Sequence, residues 1–126
     1  MKPLKVLGIF LLLNISFITQ AQTETLKTVK VLGHTFSIGD TLTLTKGFMP
    51  NGDFMSTFVA STLSPMDKPT HLSMQNTNFK FIIENIEIHK VGMNTSTLLD
   101  IQYRDNMVAW VDAAVAISKK EIVLKK

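Results

Sequence analysis

Cysteine is absent from the 126-residue sequence. Its absence excludes a disulfide framework, a thiol nucleophile, a cysteine-ligated metal and a lipid-modified cysteine near the N-terminus. Long apolar runs are scarce. The longest covers Val6 to Ile18 and is interrupted by Gly8, Asn14 and Ser16, which is short of the roughly 20 apolar residues of a membrane-spanning helix. The run follows Lys2 and Lys5 and precedes Thr19-Gln20-Ala21. A charged start, an apolar stretch of about 7–15 residues and a small-x-small site describe a secretory signal peptide. Residues 1–21 are therefore read as a signal cleaved near Ala21. The protein is expected to be exported, periplasmic or extracellular, with no membrane anchor after cleavage.

Excess charge of one sign is also lacking. Cleavage takes Lys2 and Lys5 and no acid, so 13 basic residues fall to 11 against 10 acidic, and the remaining 105 residues carry a net +1. Duplex nucleic-acid binding usually shows as a clustered basic face, and no nucleic-acid partner is expected. The length allows one domain and is too short for a two-domain enzyme, a propeller or a multi-span transporter.

What remains reads as short strands. Val29 and Val31 alternate with lysine before Gly33, Phe36 and Ile38 before Gly39-Asp40, and Leu42 and Leu44 with threonines before Lys46-Gly47. Period two with β-branched residues, bounded by turn formers, is the strand signal. Pro50-Asn51-Gly52-Asp53 is the strongest turn, and Phe54 to Ser61 resumes as a strand. Thr62 to Asn78 holds Pro65 and Pro69, which argue against a regular helix. Connections this long tend to be functional or mobile.

Phe79 to Val91 is the longest strand candidate. Phe79, Phe81 and Ile83 share one phase and Ile86 and Ile88 the other, so a bulge is expected near Glu84-Asn85. Leu99, Ile101 and Tyr103 alternate with Asp100 and Gln102. Asp105-Asn106 then makes a two-residue hairpin into Met107, Ala109 and Val111. Asp112 caps a short helix, Ala113 to Lys120, and Ile122 to Leu124 adds a terminal strand. Residues 22–28 read as a flexible lead-in and 29–126 as one all-β domain with one short C-terminal helix. The pattern suggests a small OB- or SH3-like β-barrel of about six strands.

Motifs for catalysis are missing. His34, His71 and His89 lack the close spacing of a local metal site, no EF-hand loop is present, and no G-x-S-x-G elbow supports a Ser/His/Asp set. Glu84 and Glu87 flank the expected bulge and read as a solvated strand face; Asp100 and Asp105 belong to a strand face and its hairpin. Gly39, Gly47 and Gly52 sit at turns rather than in a phosphate loop. No catalytic residue, metal ligand or cofactor is assigned.

Aromatics are the better lead. Phe48 and Phe54 bracket the Pro-Asn-Gly turn, and Trp110 lies out of phase with Met107, Ala109 and Val111. An outward Trp near a barrel mouth serves as a handle for a sugar, peptide or base. The competing reading is cover by the 62–78 loop, which the rarity of exposed indoles favours. Met66, Leu72 and Met74 form the loop side of that cover or an adaptable contact surface. The candidate ligand-binding set is Phe48, Phe54, Met66, Leu72, Met74 and Trp110.

Ile38-Gly39-Asp40-Thr41-Leu42-Thr43-Leu44, Lys46-Gly47, Met49-Pro50-Asn51-Gly52-Asp53-Phe54 and Trp110-Val111-Asp112-Ala113-Ala114 resemble small exported β-barrel proteins of Bacteroidetes-type bacteria. The resemblance covers about residues 30–122 and departs at Lys120-Glu121-Ile122, where such proteins often carry Gly-Glu-Ile. It implies export and a β-barrel, and carries no activity or functional residue. Asp40-Thr41-Leu42 also resembles the O-glycosylation acceptor of exported proteins in that group, although a plain turn is preferred, and Asn94-Thr95-Ser96 matches an N-glycosylation acceptor.

The expected function is a non-catalytic binding module for an envelope protein or a glycan. Two alternatives stay open. An OB-type single-strand nucleic-acid binder needs Lys30, Lys46, Lys80 and Lys90 in line along a groove. A small metal-dependent or hydrolytic enzyme needs two or more of the histidines near a carboxylate.

Overall fold

The structure is a computed structural model and describes residues 22–64 and 68–125. The expected signal peptide, residues 1–21, and the candidate Met66 lie outside the described residues. The chain is mostly β, with one short helix, and its main sheet curls into a half-barrel. Among the described residues ten strands are formed rather than about six. They are β1 (Gln22–Leu26), β2 (Thr28–Val31), β3 (His34–Ser37), β4 (Thr41–Leu44), β5 (Thr57–Ser61), β6 (Thr70–His71), β7 (Lys80–Val91), β8 (Asn94–Ile101), β9 (Met107–Asp112) and β10 (Ile122–Lys125). Helix α1 spans Ala113–Ser118, and no helix among the described residues is long and apolar enough to cross a membrane.

The main sheet runs β10-β4-β7-β8-β9-β5-β6, with β1 added to the far half of β7. Strand β7 is long enough to take two partners on one edge: Lys80–Ile82 pairs with β4, and Ile86–Lys90 pairs with β1. The lead-in reading of residues 22–28 is thus corrected. Gln22–Leu26 is a strand whose Thr and Glu residues offer no apolar alternation for a sequence reading to detect. Strands β2 and β3 form a separate hairpin.

The expected bulge is present. The β7–β8 register shifts between Ile83 and Asn85, which lets both Ile83 and Ile86 point inward with no exposed surface. The inner face carries the main core of Phe36, Leu42, Ile83, Ile86, Leu99, Ile101, Ala109, Val111, Ala113 and Ala116. A second cluster, Leu44, Phe54 and Leu72, continues it through Val59, Phe81, Tyr103 and Ile122. Asp112 caps α1 as expected, its Oδ1 accepting from the Val115 N–H at 3.4 Å.

No ladder joins the two ends of the main sheet among the described residues; a buried side chain does. Glu121, immediately before β10, is fully buried. Its Oε2 accepts from the Phe48 and Met55 N–H groups, both at 2.8 Å, and its Oε1 from the Ser56 N–H at 2.9 Å and hydroxyl at 2.6 Å. The sequence reading gave this residue no role.

Candidate functional site

Because strand side chains alternate, the residues between the core positions of β8 and β9 all point to the opposite face. Leu98, Asp100, Val108 and Trp110 line an open groove of about 860 Å³ there, with Glu84, Glu87 and His89 of β7 and Gln102 to Asn106 of the hairpin loop. A turn forms at Asp105-Asn106, with Asn106 at φ 63° and the Met107 N–H on Arg104 O at 3.2 Å. The expected two-residue hairpin is corrected: β8 ends at Ile101 and pairs it with Ala109, so residues 102–106 make the connection.

Pairing brings the side chains of this face into one line. Asp100 is opposite Trp110, Trp110 opposite Phe58, and Phe58 opposite His71. The Phe58 and Trp110 rings stack with centroids 6.0 Å apart, and Phe58 meets His71 at 4.6 Å. His71 is held in turn, its Nδ1–H donating to Phe54 O at 2.9 Å. On the β7 side, Asp100 is hydrogen-bonded to Glu87, Glu87 Oε1 accepts from His89 Nε2–H at 2.9 Å, and His89 Nδ1 lies 3.5 Å from Thr23 Oγ1 of β1. Six strands contribute to this line.

The carboxyl pair shares its charge unevenly. Burial beside the sheet, reinforced by the hydrogen bond to Glu87 and by the charges of Glu87 and Glu84, pushes the Asp100 carboxyl up to about 8. Glu87 is lowered by the hydrogen bond from Asp100 and by His89, against the opposing effect of its own burial. Near neutral pH, Asp100 is the protonated donor and Glu87 the ionised acceptor. Asp100 is raised above the ordinary carboxylate value of about 4, so its stabilising effect is complete below that value and is lost as pH rises through about 8. In the Asp100→Asn variant the fall in Tm between pH 5 and 9 is expected to flatten. The fluorescence of Trp110, the only tryptophan, should lose a transition near pH 8. An unchanged transition in the variant would show that another group titrates beside the indole.

Of the five candidate residues that are described, Trp110 alone lines this groove. It is half-buried, packed beside Phe58 and covered only in part. Phe54 and Leu72 are corrected to core: they are 0 % and 1 % exposed, and the Phe54 N–H donates to Leu72 O at 3.0 Å. They brace the loop and cannot meet a ligand directly. Phe48 and Met74 are exposed, and Met74 is tied to the turn through its N–H on Asp53 Oδ1 at 3.0 Å.

The sequence reading kept Glu87 and Asp100 on separate solvated faces and gave Phe58 no role. A two-residue hairpin at Asp105-Asn106 would set Ile101 opposite Trp110; the longer 102–106 connection shifts the pairing by one residue and puts Asp100 there instead. His34, His71 and His89 lie on β3, β6 and β7. Among the described residues no group of three metal-ligating side chains converges. Comparison with protein-family models, curated proteins and solved structures finds no match to this chain.

Proposed function

We propose that the protein is an exported, non-catalytic module that binds a glycan in the groove over β7, β8 and β9. One observation carries the reading: the line from Glu87 and Asp100 through Trp110 and Phe58 to His71. A sugar presents an apolar ring face and a rim of hydroxyls. An indole takes the first, and a carboxyl pair holding one donor and one acceptor suits the second. The groove is otherwise acidic, with Glu84, Glu87 and Asp105 against Arg104, which disfavours a phosphate backbone. Lys80 and Lys90 sit at opposite ends of β7, about 33 Å apart at strand rise, so the lysines required by the nucleic-acid reading do not line the groove. Export rests on Met1 to Ala21 and on the resemblance to small exported bacterial proteins.

The test is a glycan array followed by titration of the retained sugars, read by the quenching of Trp110. Trp110→Ala is expected to weaken binding about tenfold or more, the range for removing an aromatic stacking platform, with circular dichroism confirming that the variant folds. Protein purified from the native envelope should begin at Gln22. A folded parent that retains no glycan, or a Trp110→Ala variant that binds as tightly as the parent, sinks the glycan reading; native protein that keeps residues 1–21 sinks the export reading.

A further inference from the structure

The inner face of the sheet has an opening of its own, at the β10 end. The β2–β3 hairpin is not part of the main sheet and instead packs Val29, Val31 and Phe36 on the core. Between this hairpin, α1 and β10 lies a cavity of about 320 Å³. Its walls are Phe36, Ile117, Ile122 and Leu124, and its polar groups are His34 and Lys120. Its described lining residues include no acid, in contrast to those of the sheet-face groove, and the two described linings share no residue.

The backbone around this opening is unusual. Four non-glycine residues among the described ones have positive φ: Leu32 (47°), Asn78 (70°), Asn106 (63°) and Lys120 (58°). Asparagine tolerates this region; leucine and lysine enter it at a cost. Lys120 lines the cavity, whereas Leu32 sits with Gly33 in the β2–β3 turn just before the lining residue His34. Leu32 O accepts the Nδ1–H of His34 at 3.2 Å, which leaves Nε2 as the remaining polar atom of that ring. Lys120 follows the C-cap of α1, the position where glycine is the unstrained choice. It forms no ion pair among the described residues, and the adjacent Glu121 is committed to the 48–56 loop. Residues held in such conformations concentrate at functional sites.

We propose that this opening binds a short aliphatic carboxylate, with its chain among Phe36, Ile117, Ile122 and Leu124 and its carboxylate on Lys120. The choice follows from the lining. Apolar walls with a single unpaired cation at the rim complement a molecule with one apolar end and one negative end. The volume is at the small end of ligand pockets, which run from about 300 to 1,000 Å³, and suits a free short-chain acid better than a two-chain lipid. The proposal stands apart from the glycan reading.

Octanoate titrated into the protein and followed by amide chemical shifts tests it. Saturable shifts in β3, α1 and β10 are expected, with a Kd of about 1 mM or tighter. Octanol should bind about two- to fivefold more weakly, the range for losing one exposed ion pair. Lys120→Gly should weaken octanoate to the level of octanol and leave octanol unchanged, with a Tm no lower than the parent's because glycine accepts φ 58° without strain. Ile117→Gln, which alters the wall, should weaken both ligands. The proposal is overturned by a folded parent that shows no saturable shift, by shifts outside this opening, or by octanoate affinity that survives Lys120→Gly.

Discussion

Glu121→Ala is expected to cost about 3–5 kcal/mol, the range for removing one partner from a buried charged contact. Domains of this kind hold a total stability of about 5–15 kcal/mol, so the loss takes a large share. Four donors converge on the carboxylate: the N–H groups of Phe48, Met55 and Ser56 and the Ser56 hydroxyl. No salt-bridge cation faces it among the described residues; charge-assisted bonds to converging N–H dipoles hold the ion instead. Truncation leaves those donors without acceptors inside the fold, and each buried orphan costs about 1–3 kcal/mol. Partial entry of water keeps the total below the simple sum. Urea unfolding should show the loss as a lower midpoint at an unchanged m-value, and Tm should fall by about 15 °C or more. Glu121→Gln retains one acceptor oxygen and turns an NH₂ group toward N–H donors, so more than half of the loss should remain. A cost below about 1 kcal/mol for Glu121→Ala would mean that the seam is held elsewhere, since that is the scale of one ordinary hydrogen bond.

The same residue ties stability to the candidate site. Ser56 donates both its N–H and its hydroxyl to Glu121, and its carbonyl accepts the Asp112 N–H at 2.7 Å. It immediately precedes β5, which carries Phe58 to Trp110. Loosening the seam therefore releases the end of β5 that sets the aromatic row, and glycan binding should weaken in Glu121→Ala before global unfolding.

Local patterning made part of this architecture legible. The phase change between Ile83 and Ile86 demanded a bulge, Asp105-Asn106 marked a hairpin, Asp112 marked the start of a helix, and Trp110 fell on the non-core phase of its strand. Each signal lies within a few residues. What escaped depends on distant pairing. Glu121 meets Phe48 and Ser56 across more than 60 positions, and nothing in Lys120-Glu121-Ile122 announces a buried carboxylate. Strand β1 is held by the edge of β7 and not by an apolar stripe of its own, so its composition resembles a loop. Phe54 and Leu72 read as loop aromatics and aliphatics because the turn and the long connection that bury each other are about 20 residues apart. The meeting of Glu87 with Asp100 required the bulge to be placed to the residue, because pairing of Asn85 with Asp100 fixes which carboxyl of β7 lies diagonal to it.

Gly47→Ala is expected to destabilise by about 3 kcal/mol, the upper end for forcing a methyl group into a packed site. The reason is a close approach of backbone to backbone. A Cβ on Gly47 would stand 2.2 Å from both Gly52 O and Asp53 O and 2.4 Å from Asp53 C. No rotamer change relieves such a clash, because every atom met is main chain. The opposing loop is also pinned: the Met49 N–H donates to Asp53 O at 3.0 Å, the Gly52 N–H to Met49 O at 2.8 Å, and the Met74 N–H to Asp53 Oδ1 at 3.0 Å. Moving it to admit the methyl breaks one or more of these bonds and shifts Phe48, whose N–H reaches Glu121. Gly92→Ala provides the comparison. That glycine lies at φ 61° in the β7–β8 turn with nothing within 4 Å of a new Cβ, so alanine there meets only the conformational penalty of about 1–2 kcal/mol. Thermal unfolding of the two variants should rank Gly47→Ala as clearly the less stable. Equal losses would mean that the 47–54 turn yields to the methyl, and that the turn is not the rigid abutment against which Glu121 closes the sheet.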